Sequence, residues 1–263
     1  MMIIESRQNP TYKRLQRVVE GKRPAEGDLP VLWLEGPNLC QSWLQHYGTP
    51  EMVVVDAERE PLSDSVQRLV DAVPIRQQLM LSSSLMKGLS SVEQGQGIAF
   101  VVQRPVVPAQ PVLKKAALLL DRVQDPGNLG TLLRTAAAAG IGDVFLSVGC
   151  ADAWSQKSLR SGQGAHFALA IHENQDLQAL LKNAEVPVYT TMLSDKAQSL
   201  FALEIAKEGA WLFGNEGRGV HPDLVAQSRH QVFIPQEAAV ESLNVAVAAA
   251  ICLFEQRRQH LQG

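Results

Sequence analysis

From residue 116 onward the chain alternates short apolar runs with helical stretches, and this pattern limits the fold more than any other feature. The runs are AALLLD (116–121), VFLSV (144–148), VPVYTT (186–191), AWLFG (210–214) and QVFI (231–234), with FALAI (167–171) as a further short strand. Most lack the polar alternation of a strand with one wet face. Between them, LGTLLRTAAAAG reads as a helix stopped by Gly140. Trp154–Arg160 reads as a helix or turn, 175–183 as a helix, and a helix from Ser242 to about Arg258 closes the chain. Apolar strands joined by helices predict an open, mostly parallel sheet covered on both faces. Ligands of such sheets sit beyond the carboxyl ends of the strands.

Residues 104–112, RPVVPAQPV, hold three prolines that resist helix and central strand alike. They read either as a surface loop or, preferably, as a linker over 106–112 between domains 1–105 and 113–263. In the first domain VLWLEG (31–36), MVVVD (52–56) and IAFVVQ (98–103) read as strands and Asn38–His46 as a helix, a small α/β unit. Its opening segment is basic: Arg7, Lys13, Arg14, Arg17, Lys22 and Arg23 face only Glu5 and Glu20. Tyr12, Leu15, Val18 and Val19 share one helical face there, which leaves the basic side outward. A solvated face is the plain reading and a phosphate contact the functional one. The net charge of −3 neither requires nor excludes nucleic acid, because only the local patch matters. Three scattered cysteines (Cys40, Cys150, Cys252) have no metal-ligand spacing and suggest a reduced, cytoplasmic chain, with Cys40 and Cys252 as buried thiols. No apolar run is long enough for a membrane span; AVAAAICLF at 246–254 is far too short.

Three loops follow strands of the second domain. In DRVQDPGNLGTLLRTA (121–136), Pro126 and Gly127 force a turn and Asn128 is placed to cap the helix. Leu129, Leu132, Leu133 and Ala136 form the buried stripe, with Gly130 and Arg134 on another face. An arginine near a helix start opposes the dipole, which points weakly to an anionic partner. In LFGNEGRGV (212–220), Gly214, Gly217 and Gly219 permit tight turns, and Glu216 can neutralise Arg218 or orient Arg134. The loop lacks the lysine of a phosphate loop and the spacing of a dinucleotide fingerprint, so a structural turn and a ligand cradle stand level. In IPQEAAVESLNVAVAAAICLFEQ (234–256), Ser242 can cap the last helix, Leu243 follows and Asn244 falls in the first turn.

NLGTLLRTAAAAG, LFGNEGRGV and IPQEAAVESLNVAVAAAICLFE, in this order, resemble the three signature motifs of the SpoU family of RNA ribose 2'-O-methyltransferases, within the trefoil-knotted SPOUT class. KSLRSGQGAHF (157–167) is similar to the family segment between the first two, and the resemblance covers roughly 115–258. It implies a parallel sheet with a deep C-terminal trefoil knot, preceded by a small ribosomal-protein-like α/β domain that binds substrate RNA. The implied cofactor is S-adenosylmethionine, no metal is required, and His166 and His172 are incidental. Carried over by motif, Gly214, Ile234 and Leu243 are the nearest cofactor contacts, and Asn215, Glu216, Ser242 and Asn244 line or brace the pocket. Gly217, Gly219 and Pro235, with Thr191 and Met192 on the preceding strand, complete the set. The glycines are expected to let main chain approach a flat purine.

The implied reaction is transfer of a methyl group to a ribose 2'-hydroxyl. Arg134 is the implied catalytic group, with Asn128, Glu216 and Asn244 fixing its geometry. A guanidinium stays protonated, so stabilising the developing alkoxide and positioning a phosphate is the preferred role. The implied partners are RNA, large-subunit 23S ribosomal RNA by preference and transfer RNA as the alternative, and a second copy of the chain packed through the first and last motif helices. The basic opening segment with Lys157 and Arg160 is the expected RNA footprint. Ala238, Gln236 and Gly162 depart from residues common in the family, which keeps a non-catalytic RNA-binding relative as the rival. An ordinary doubly wound small-molecule enzyme is the remote one.

Overall fold

Two sheets organise the chain, each in its own unit. The structure is a computed structural model that describes residues 3–21, 30–59, 61–92, 94–110, 112–192, 194, 197–237, 239 and 241–261. Lys22, Arg23 and Ala238 lie outside the described residues. One unit comprises Met1–Val106 with Trp154–Phe167, the other Val107–Ala153 with Ala168–Gly263.

The first unit runs β1 (Ile3–Ile4), α1 (Pro10–Val19), β2 (Val31–Glu35), α2 (Pro37–Tyr47), β3 (Met52–Asp56), α3 (Asp64–Asp71), β4 (Gln78–Leu81), α4 (Ser83–Leu89) and β5 (Ile98–Gln103). Its sheet has the order β1-β4-β3-β5-β2, parallel where β4 meets β1 and β3, and antiparallel where β5 meets β3 and β2. In α1, Asn9 caps through its side chain to Thr11 N at 2.8 Å and Pro10 supplies a preset φ. Tyr12 and Leu15 are buried, and Val18 and Val19 pack on the same cluster with Trp33, Leu81 and Leu85. The expected apolar face is therefore the packed one, and Lys13, Arg14 and Arg17 are exposed. The segment Trp154–Phe167, which contains the helix α6 (Gln156–Gly162), packs with this unit. Gln156 Nε2 donates to Trp33 O at 2.9 Å, and Phe167 meets Trp43 edge-on at 5.3 Å.

The second unit contributes β6 (Ala117–Leu120), α5 (Pro126–Ala139), β7 (Asp143–Ser147), β8 (Ala170–Gln175), α7 (Leu177–Lys182), β9 (Val188–Thr191), β10 (Gln198–Ser199), β11 (Ala210–Phe213), α8 (Pro222–Gln227), β12 (His230–Phe233) and α9 (Val245–His260). The sheet order is β10-β12-β9-β11-β6-β7-β8, and every pairing is parallel. β6 and β11 are buried at every residue, which explains their unbroken apolar runs. The run expected over 167–171 lies elsewhere: Ala165–Ala168 form a 3-10 turn, and the strand is the polar AIHENQ, paired to β7 at the sheet edge. α5 packs on α9, which in turn contacts β11. Gln256 is the polar link in this core. Its Oε1 accepts from Trp211 Nε1 at 2.8 Å and its Nε2 donates to the carbonyls of Ala206, Lys207 and Gly209.

Cys40 and Cys252 are fully buried, as expected. His166 and His172 are buried too, and His172 stacks on Phe145 at 4.5 Å with Nε2 3.3 Å from Asp143. Among the described residues no helix is long and apolar enough to cross a membrane, and no cluster of His, Cys, Asp and Glu could hold a metal.

Candidate active site

The carboxyl ends of β12, β9, β11 and β6 lie side by side, and the three loops singled out in the sequence leave from this edge. The register fixes the neighbours: Thr191 pairs with Val232, Met192 N donates to Val232 O at 3.0 Å, and Asp121 N donates to Phe213 O at 2.9 Å.

The glycine-rich loop after β11 is a closed turn. Asn215 and Gly219 exchange main-chain bonds of 3.1 and 2.8 Å. Asn215 Oδ1 accepts from Gly217 N at 3.0 Å and Arg218 N at 3.1 Å, while its Nδ2 donates to Arg122 O at 2.9 Å. A Cβ on Gly214 would lie 2.1 Å from Gly219 C and Val220 N, so only glycine fits where the chain crosses itself. Gly219 has φ +67°, and a Cβ on Gly217 would meet nothing closer than 3.8 Å. The loop's own backbone is thus enough to require glycine at 214.

Asp125, not Asn128, caps α5, accepting from Asn128 N at 2.8 Å. Asn128 is freed for a different task. The Glu216 carboxylate accepts from Gln124 N at 3.3 Å, Asp125 N at 3.2 Å and Asn128 Nδ2 at 3.2 Å. Asn128 Oδ1 accepts from Asn244 Nδ2 at 3.0 Å. Asn244 caps α9, its Oδ1 accepting from Ala246 N at 2.9 Å and Val247 N at 3.3 Å. Ser242 is exposed and stands before the cap; the first turn was expected two residues too early because Ser and Asn are both good caps. One directed chain, Glu216 to Asn128 to Asn244 to the start of α9, therefore joins all three loops. Partial burial alone would raise the Glu216 pKa, but the hydrogen bonds from main chain and Asn128 outweigh it and lower the pKa below the ordinary carboxylate value.

Glu216 forms no ion pair with Arg218 or Arg134 among the described residues. Arg134 lies past the middle of α5, so the dipole at the helix start does not bear on it. It is exposed, and among the described residues it has no hydrogen bond or ion pair. Gly130, expected on the same open face, is buried, because α5 packs on α9 as well as on its leucine side. The third loop leaves β12 at Ile234, which is part-buried like Leu243, whereas Pro235 is exposed. Gln236 Nε2 donates to Glu241 O at 3.3 Å and ties the two ends of that loop.

Of the expected RNA-binding residues, Arg7, Lys13, Arg14, Arg17, Lys157 and Arg160 are exposed. Lys13 Nζ reaches Gln8 at 2.7 Å, Arg14 lies 3.7 Å from Glu51, and Arg160 Nη1 donates to Ser91 O at 3.2 Å, all within the first unit. Sequence reasoning passed over Asp121, a 3% exposed carboxylate just beyond β6. It accepts from Arg122 Nε and Nη2 at 3.0 and 2.9 Å, Ser147 Oγ at 3.3 Å and His221 N at 2.9 Å. An acidic residue closing an apolar strand was its only signal.

This edge has the dimensions and lining for the cofactor that the motif resemblance names. β9 lies between β11 and β12, so with strands about 4.8 Å apart the three ends span about 10 Å, the breadth of a nucleoside. Thr191, Met192, Gly214, Ile234 and Leu243 are buried or part-buried around that span and bring chiefly main-chain and apolar groups. Such a lining suits a purine ring.

Comparisons with known proteins agree with this architecture. The model of the SpoU rRNA Methylase family matches residues 115–254. An uncharacterised tRNA/rRNA methyltransferase of Synechocystis is 33% identical over 97% of this chain and 93% of its own. The Bacillus subtilis 23S rRNA (guanosine(2553)-2'-O)-methyltransferase RlmP is 34% identical over the full length of both chains. The crystal structure of an AdoMet-bound rRNA methyltransferase from Sinorhizobium meliloti is 26% identical, covers 99% of each chain and superposes with a TM-score of 0.83. The small N-terminal α/β unit followed by a parallel sheet is the architecture of the knotted SPOUT methyltransferases. The chain belongs to the SpoU rRNA methylase family.

Proposed function

We propose that the chain is an S-adenosylmethionine-dependent RNA methyltransferase that acts on a ribose 2'-hydroxyl of 23S ribosomal RNA, in the cytoplasm. The observation that carries this reading is the bonded chain Glu216–Asn128–Asn244, which draws the three loops to one strand edge. The cofactor supplies a methyl group activated by a sulfonium. Thr191, Met192, Gly214, Asn215, Ile234, Pro235, Ser242, Leu243 and Asn244 hold it, and Glu216, Gly217 and Gly219 keep the loop's shape.

Arg134 meets the RNA. Its guanidinium, unshared among the described residues, neutralises a phosphate and steadies the negative charge that develops on the ribose 2'-oxygen as its proton passes to solvent water. Asn128, Glu216 and Asn244 hold the start of α5 against the other loops, and alignment accounts for much of the rate. The basic face of α1 with Arg7, Lys157 and Arg160 binds the RNA around the target. The near full-length match to a 23S rRNA 2'-O-methyltransferase supports the choice of substrate.

The chain works as a homodimer in this reading. On α9, Val247 and Phe254 are 48% and 45% exposed, seven residues apart on one face, with part-buried Ile251 between them.

The test is methyl transfer from labelled cofactor to unmodified ribosomal RNA by the wild type and Arg134→Ala. Transfer is expected from the wild type. Arg134→Ala should lose at least a thousandfold in rate with unchanged cofactor affinity. Undiminished turnover by the variant would remove Arg134 from the chemistry.

A further inference from the structure

Three non-glycine residues among those described have positive φ: Arg122 at +53°, Gln163 at +49° and Asn174 at +56°. Gln163 is the C-cap of α6, and Asn is a residue that tolerates this region. Arg122 has neither excuse. It sits two residues beyond β6, where glycine would adopt the same backbone without strain.

The side chain kept there is held in place. Nε and Nη2 grip both oxygens of the buried Asp121, whose remaining bonds come from Ser147 Oγ and His221 N. The main chain is fixed as well, with Arg122 N donating to Ser147 Oγ at 2.9 Å and Arg122 O accepting from Asn215 Nδ2 at 2.9 Å. Two and three residues on, Gln124 N and Asp125 N donate to Glu216. The arginine is thus one hydrogen bond from the loop that leaves β11. Its side chain is 31% exposed, and Nη1 has no hydrogen bond among the described residues.

We infer that Arg122 is a further RNA-contacting residue of this site, its Nη1 edge taking a phosphate oxygen of the strand that carries the target ribose. A guanidinium already locked in one rotamer loses little entropy when it binds, and its planar fork suits phosphate. This assignment rests on the methyltransferase reading.

The experiment compares wild type, Arg122→Gly and Arg122→Lys on an in vitro transcribed large-subunit ribosomal RNA across a salt series, with cofactor affinity and melting temperature measured beside it. Arg122→Gly relieves the positive φ and removes the guanidinium. Its KM for RNA should rise about tenfold, with kcat and cofactor affinity within twofold of wild type. One lost phosphate contact should also flatten the dependence of log KM on log salt by about 0.7. Arg122→Lys keeps a cation beside Asp121 without the fork, and its KM should rise about threefold. A purely structural Arg122 would change the melting temperature and leave KM and salt slope at wild-type values, which overturns the inference. If Arg122→Gly does not fold, Arg122→Lys at wild-type KM overturns it equally. No transfer by the wild type would instead defeat the functional reading itself.

Discussion

Glu216 sets the direction of every amide in the chain that joins the three loops. As an acceptor it turns Asn128 Nδ2 toward itself, which leaves Asn128 Oδ1 for Asn244 Nδ2 and Asn244 Oδ1 for the start of α9. Glu216→Gln replaces one acceptor oxygen with a donor, so one of the three N–H groups it serves must lose its partner or the amides must flip. The variant should melt lower than wild type at neutral pH and transfer methyl groups more slowly. The lowered Glu216 pKa gives the sign with pH: its stabilisation is complete above the ordinary value of 4.5 and is lost as pH falls through the lower folded value. The melting-temperature gap between wild type and Glu216→Gln should therefore close on acidification below about pH 4.5; a gap independent of pH would contradict this role. Arg134, by contrast, has no bond to lose among the described residues, so Arg134→Ala should melt within a degree or so of wild type.

At the scale of elements, Gly214 is the sharpest test of the turn after β11. Gly214→Ala would place a methyl 2.1 Å from main-chain atoms of Gly219 and Val220, and backbone cannot yield as a side-chain tip can. The loop should open or the protein fail to fold, read as a fall of at least 10 °C in melting temperature, together with loss of cofactor binding in any folded fraction. Ordinary stability and binding would contradict the crossing. The central strands were legible because burial on both faces writes an unbroken apolar run, as in β6 and β11. β4 and α4 were not: QLML and SSLMKGL carry too few alternations or turns to show a period. α3 was passed over although Val66, Leu69 and Val70 stand at helical spacing behind a Ser63 cap. Helix starts slipped by two or three residues where two capping types stood close together, Asp125 with Asn128 and Ser242 with Asn244. The glycine loop was conspicuous in sequence, yet its reason, a self-crossing of the main chain, needs coordinates.

For the whole molecule, the order in which a chain threads is invisible to periodicity and composition, and the knotted class was reached only through motif resemblance. The pairing of Trp154–Phe167 with the first unit was equally hidden, since its sequence lies between strands of the second. The proposed dimer puts the outer face of α9 at the contact. Phe254→Glu would place a charge within that stripe and should shift sedimentation from dimer to monomer while the fold survives; a wild-type monomer would contradict the contact. The edge of β12, β9, β11 and β6 is where the methyl group is transferred in the proposed function. The most direct measurement is nucleoside mass spectrometry of unmodified ribosomal RNA after reaction with the protein and methyl-labelled S-adenosylmethionine. One labelled 2'-O-methyl nucleoside per RNA is expected, absent with Arg134→Ala. A label on a base, or no label on RNA, would contradict it.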